Sequence, residues 1–281
     1  MCTLTLAWRA FDDAPVALAA NRDEASDRPS EPPTVRGSDP AIVAPRDAEA
    51  GGTWIGLAAT GLTVAITNRW LDADRDGDRS RGLLVWDCLR AGSAESAVRT
   101  VERELDERTY EGFTLVVADD VAAFLLSYDG GLAITRLDPG VHVVGNVGSV
   151  RNGEERFAVP ERLAERGRDR VDSARRIATA TAPRPGATAT DWLDRASDVL
   201  ADHAYGACLH GDGFGTRSFT RIRTGPDAAM AFADGPPCVT PAESVPIPDG
   251  FAGRTTSSTE PAGSGESTVG DGSEDGPESH L

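Results

Sequence analysis

Short apolar runs, some alternating and some continuous, punctuate the chain and set its architecture. Residues 4–8 and 16–20 read as strands, with Asp12-Asp13-Ala14-Pro15 between them as a turn. A polar, Pro-rich connection spans 27–40, followed by the apolar piece Ala41-Ile42-Val43-Ala44. Residues 51–57 and 62–68 predict a second hairpin turning at Ala59-Thr60-Gly61, and the two glycines ahead of Trp54 mark backbone passing close to another strand or a ligand. The charged segment 72–81 reads as a loop. Helical spacing then takes over at 83–89 and 94–105, with Ser93 or Ser96 as a cap for the second helix. A block of strands follows at 113–118, 121–128, 132–137 and 141–145. Residues 154–166 and 171–179 read as helices, the first interrupted by Pro160. Thr190 is expected to cap a helix over 192–203, and strands at 216–223 and 228–233 complete the pattern.

Hairpins outnumber any strand–helix–strand alternation, so the expected class is α+β, antiparallel sheets covered by helices. From about Pro241 the composition turns to Gly, Ser, Thr, Pro and acids, with almost nothing to bury. The expected organisation is one folded domain over 1–240 and an acidic tail without fixed structure over 241–281.

Composition changes the picture of partners. The net charge is −17, and all 28 basic residues are Arg. Such a surface argues against nucleic acid and anionic membranes as partners, and it matches a protein built for high salt. No run approaches the ~18–20 apolar residues of a membrane helix. The start of the sequence lacks a basic-then-apolar leader, so a cytoplasmic location is expected. Four cysteines show neither CxxC nor zinc spacing and are expected to be reduced thiols, Cys88 and Cys208 within the core. Cys208-Leu209-His210 offers two kinds of metal ligand, but no second pair is visible, so neither a metal nor a cofactor is expected.

The candidate chemistry lies at the start. Removal of Met1 leaves Cys2 with a thiol and a free α-amine on one residue, and an α-amine titrates near ~8, low enough to accept a proton at neutral pH. If the first hairpin turns at Asp12–Asp13, antiparallel partners sum to about 25, which sets Cys2 opposite Asp23 within the span Asn21 to Glu24. Arg22 beside the sulfur favours thiolate, and Asp23 is placed to orient that Arg or to hold the amine. The same residues also fit an ordinary hairpin with a buried Cys and a surface ion pair.

Met1-Cys2-Thr3, Ala20-Asn21-Arg22-Asp23-Glu24, Ala50-Gly51-Gly52-Thr53-Trp54-x-Gly56, Thr67-Asn68, Arg81-Gly82-x-Leu84-Val85, Tyr110-x-Gly112-Phe113-x-Leu115 and Gly215-Thr216-Arg217-Ser218 occur in that order. Together they resemble the NRDE family, also called the transport and Golgi organisation protein 2 family, over about residues 1–235. The resemblance extends to the N-terminal nucleophile hydrolases and so implies a four-layer αββα sandwich. It implies Cys2 as nucleophile, Asp23 against the amine, Asn68 and Asn146 as oxyanion donors, and Arg217 as a late-strand cation. Arg22 adjoins Asp23, whereas the choloylglycine-type branch carries its Arg three residues earlier, where this chain has Ala20. Asn21, Glu24, Trp54 and Asn68 are the expected substrate contacts. The function so implied is cleavage of a small amide or acyl substrate. The other expectation is a binding or carrier protein for haem or acyl lipid using the same pocket, with His142 the one histidine nearby.

Overall fold

The N-terminal hairpin lies at the centre of a large antiparallel sheet. In a computed structural model that describes residues 2–73 and 75–252, β1 (Cys2–Phe11) and β2 (Ala14–Ala25) are its middle strands. The other strands of this sheet are β10 (Gly140–Gly145), β11 (Gly148–Arg151), β12 (Glu154–Phe157), β13 (Phe214–Arg223), β14 (Ala229–Ala233) and β15 (Glu243–Ser244), in the order β12-β11-β10-β1-β2-β13-β14-β15. The second sheet runs β3-β4-β5-β6-β7-β8-β9 and is assembled almost entirely from neighbours in sequence. Its strands are β3 (Ser30–Arg36), β4 (Ile42–Asp47), β5 (Ile55–Ala58), β6 (Thr63–Asn68), β7 (Phe113–Ala118), β8 (Ala123–Tyr128) and β9 (Leu132–Arg136).

Period-two alternation decides what each face covers. Along β1, Leu4, Leu6 and Trp8 join Val43, Ile55, Leu57, Ala65 and Val116 of the other sheet in the core between the sheets. Ala7 on the opposite face packs beneath α3 (Ala164–Ala180) and α4 (Ala189–Ala201), where Trp192 is fully buried. The outer face of the second sheet is covered in the same way by α1 (Arg81–Leu89) and α2 (Ala94–Glu107) through Leu84, Cys88, Val98 and Val101. Three apolar layers separate four structural ones. The fold is an αββα sandwich, the architecture expected from the sequence.

Local differences have local causes. The Pro-rich connection contains β3, an edge strand whose register shifts between Glu31 and Thr34; Pro32 and Pro33 fall at that irregularity, where a missing N–H is tolerated. The helix expected over 154–166 is instead strand β12, a 3-10 turn at Glu161–Leu163, and the first turn of α3. β12 is an edge strand with charged, exposed side chains, so it has no alternation to read. The cap of α4 is Thr188 rather than Thr190, in a reciprocal capping box with Asp191. The chain also stays packed beyond 240: Val245, Phe251 and Ala252 contribute to the core between the sheets. The remainder of the expected acidic tail, 253–281, lies outside the described residues. Among the described residues no helix is long and apolar enough to cross a membrane.

Candidate functional site

A bulge determines which residue faces the thiol. At the turn, Phe11 pairs with Ala14, but the register shifts between Trp8 and Phe11, where Arg9 adopts a φ of 46°. Beyond the shift every pair number falls by one, and Cys2 stands opposite Arg22 rather than Asp23. A one-residue slip exchanges the faces of a strand. Arg22 therefore shares the side of the hairpin that looks towards the second sheet, and Asp23 reaches Cys2 through its backbone N–H.

Cys2, Arg22, Asp23, Glu24, Trp54 and Asn68 all line one cavity of about 410 Å³ at the end of the sandwich. Arg22 is 4% exposed and stacks over the Trp54 ring with its guanidinium carbon 4.1 Å from the centroid. Its Nη2 lies 3.5 Å from Asp47 and 3.7 Å from Glu24. Asp47 is itself pinned: Arg28 donates to it at 2.7 Å, and the N–H groups of Glu49 and Ala50 donate to its other oxygen. Burial raises its pKa, but these donors outweigh burial and hold it below the ordinary carboxylate value. Arg81, at the start of α1, enters the same cavity. Its Nη2 pairs with Glu111 at 2.6 Å and its Nη1 donates to the Gly112 carbonyl.

Trp54 reaches Arg22 because the backbone ahead of it is pressed against a helix. A Cβ on Gly52 would lie 2.2 Å from the carbonyl carbon of Gly82, and Thr53 N–H donates to the Gly82 carbonyl at 3.0 Å. Gly52 thus serves a close backbone crossing with α1, while Gly51 takes the left-handed φ of 77° that the turn before it needs.

Three candidates have other roles. Asn21 is buried on the helix side, and its amide donates to the Leu200 and Ala207 carbonyls at 2.9 and 3.0 Å. Asn146 does not line the cavity: it donates to the Asn68 carbonyl at 2.8 Å, while Trp70 N–H donates to its own carbonyl, so it braces Asn68. Arg217 is the extra residue of a bulge between Thr216 and Ser218 and is absent from the cavity wall. The side chain that meets Asp23 is Thr216, whose hydroxyl donates to Asp23 at 2.6 Å. His142 is buried away from the wall, its Nε2 within 2.9 Å of the Asp138 carbonyl, and among the described residues no histidine lines the cavity. Arg28, Asp47, Arg79, Arg81 and Glu111 were not foreseen; Arg81-Gly82 was visible as a motif without a role.

Electrostatics separate the two central groups. Burial pushes the Cys2 thiol up and outweighs the opposing pull of the chain-start ammonium, the Asp23 N–H and the Arg22 charge, while the Asp23 charge adds to burial, so the resting sulfur keeps its proton. Burial likewise pushes Asp23 from 3.8 up to about 6, against the pull of the Thr216 hydroxyl and the Arg170 charge. The folded state then binds this proton more tightly than the unfolded chain. Its stabilising contribution is complete below about pH 4 and is lost as pH rises through about 6, a swing on the order of 3 kcal/mol. Asp23→Asn is expected to flatten that part of the stability–pH curve in urea titrations between pH 4 and 7. Parallel curves for the two proteins would contradict it.

The profile of the family described as Transport and Golgi organisation 2 matches residues 1–233. The chain belongs to that family. Two Transport and Golgi organisation 2 homologues, from Mus musculus and Homo sapiens, are each 35% identical to it over 120 residues, a match covering 39% of this chain and 43% of theirs. The same sandwich occurs in penicillin V acylase from Agrobacterium tumefaciens, at a TM-score of 0.52 and 15% identity over 83% of each chain. It occurs again in the N-acylethanolamine-hydrolyzing acid amidase orthologue of Caenorhabditis elegans, at 0.50 and 12%, covering 79% of this chain and 92% of that one. At these identities the likeness shows that this Transport and Golgi organisation 2 family member has an N-terminal nucleophile hydrolase-like fold.

Proposed function

We infer that this protein is a cytoplasmic amide hydrolase whose nucleophile is Cys2, exposed at the chain start by removal of Met1, and whose substrate is a small amide or related acyl compound. The observation that carries the reading is the placement of Cys2 at the end of a central strand, in the wall of a polar cavity, with Arg22 across the ladder and the Asp23 N–H directed at its sulfur. A thiol whose pKa is raised by burial needs a base, and the α-amine on the adjacent carbon of the same residue is one. It takes the thiol proton as sulfur attacks the acyl carbon, then returns a proton to the departing amine. Water hydrolyses the resulting thioester and regenerates thiol and acid.

The negative oxygen formed in each step needs donors. The Asn68 side chain, at the wall and braced through its backbone by Asn146, is the candidate; one such donor lowers a barrier by about 2.7–4 kcal/mol. Arg22, Arg28 and Arg81 line the same space together with Glu24, Asp47 and Glu111, which favours a substrate with a polar head. The volume suits a small molecule.

The test is an intact mass combined with chloroacetamide labelling of the native protein in high salt. The expected mass lacks Met1, and Cys2 reacts ahead of the partly exposed Cys238. Retention of Met1 removes the base and with it the mechanism.

A further inference from the structure

Away from the cavity, the loops at one end of the first sheet bring together two histidines and two cysteines that are scattered in sequence. His203 lies in a 3-10 turn after α4, Cys208 and His210 precede β13, and Cys238 follows β14. One potential ligand atom from each lies within 4.8 Å of every other. His210 Nε2 is 3.7 Å from the Cys208 sulfur and 3.2 Å from the Cys238 sulfur, and the His203 and His210 rings are 5.0 Å apart. Cys208-Leu209-His210 was read from sequence as half a metal site lacking its other half; His203 and Cys238 are that half, supplied by the fold.

We propose that His203, Cys208, His210 and Cys238 bind one zinc ion in a closed tetrahedral structural site. Around zinc, with bonds of about 2.3 Å to sulfur and about 2.0–2.1 Å to nitrogen, neighbouring donors sit roughly 3.3–3.8 Å apart. A cluster already within 4.8 Å needs only a small contraction. Two thiolates and two neutral imidazoles are the donor set that selects zinc over the hard cations. Binding releases two thiol protons to solvent, and the two thiolate charges then balance the ion. The exposed histidines leave an entry path, while Cys208 is buried. The turns holding the ligands are already ordered. Asp202 caps the His203 turn, Gly206 takes a φ of 71°, and Val239 and Thr240 both donate to the Pro236 carbonyl around Cys238.

The ion would tie the end of α4 to the lead-in of β13 and the exit of β14. That lead-in supports the cavity: Leu209 exchanges hydrogen bonds with Thr216, its N–H to the hydroxyl and its carbonyl from the Thr216 N–H. The same hydroxyl donates to Asp23. The ion is thus a clip behind Asp23, not a participant at Cys2, and the proposal stands whether or not Cys2 is catalytic.

The test is cobalt titration of the full chain, stripped of metal and kept reduced. One equivalent of Co²⁺ should develop a thiolate charge-transfer band and the intense visible bands of tetrahedral cobalt, and one equivalent of Zn²⁺ should bleach them. Cys238→Ser and His203→Ala should lose the bands at that stoichiometry, whereas Cys2→Ser and Cys88→Ser should keep them. Zinc should also slow amide exchange at Leu209 and Thr216 in the unmutated chain, a readout that does not depend on how the variants fold. Absence of tetrahedral bands in the reduced protein overturns the proposal. So does a spectrum unchanged by Cys238→Ser.

Discussion

Cys2→Ala is expected to reduce hydrolysis of a p-nitrophenyl acyl ester or N-acyl p-nitroanilide by at least about 10³-fold, to the uncatalysed background, with little change in melting temperature. On the proposed mechanism the sulfur forms the covalent intermediate; among the described residues of the cavity wall the hydroxyls have other work, Thr53 donating to the Ile55 carbonyl and Ser80 capping α1. Cys88→Ser provides the contrast. That thiol is buried between α1, α2 and the second sheet and is held neutral by desolvation, so it should leave turnover intact. Cys2→Ser tests the base: an alcohol has a far higher pKa, so the α-amine must work harder, and a residual rate well below that of the thiol is expected. Full activity in Cys2→Ala would assign the chemistry to another residue.

Gly52→Ala should be the most destabilising single-methyl insertion near the site, at about 3–5 kcal/mol by urea denaturation. The added carbon would meet the Gly82 carbonyl carbon at 2.2 Å and the Gly82 oxygen and Leu83 nitrogen at 2.5 Å, all backbone atoms of the first turn of α1. Nothing there can rotate away. Moving the strand instead breaks the Thr53–Gly82 hydrogen bond and draws Trp54 off Arg22. Gly51→Ala is the internal control. Its φ is 77°, but no atom lies within 4 Å of the added carbon, so only the backbone cost of about 1 kcal/mol applies. Equal effects at the two positions would mean that the crossing with α1 yields more easily than the geometry indicates.

Hairpins with a buried face were readable because alternation and turn residues reinforce each other, as in β1–β2 and β5–β6. Edge strands were not. β3 hides behind Pro32 and Pro33, and β12 carries charge on both faces, so neither has a two-residue period. At the site, the residues of one hairpin were found together, Trp54 and Asn68 came through the family resemblance, and the charged residues contributed by distant elements were missed. Cys2, Arg22, Asp23 and Glu24 belong to one hairpin. Asp47 and Arg81 come from other elements, and side-chain chemistry alone does not distinguish them from surface charges. Asn146 and Arg217 show the converse, residues singled out by chemistry that the fold holds off the cavity wall. Their chemistry suited catalysis, yet a strand end turns one into a brace for Asn68, and a bulge leaves Thr216 in the place assigned to the other.

The central position of β1 also sets an order of assembly. The strand that carries Cys2 is made well before its sheet partners: its neighbour β10 begins at Gly140 and the partner of β2, β13, begins at Phe214. β1 gains its neighbour once about residue 145 has been made, but until β13 follows at 214–223 the β2 side of the hairpin is open and Asp23 lacks its Thr216 partner. The second sheet, built from near neighbours, closes early and waits as a platform; the first closes around it late, through contacts of very long loop span. Every residue of the cavity wall has been made by Glu111, so what a growing chain lacks is not the wall but the sheet that holds the first hairpin in place against it.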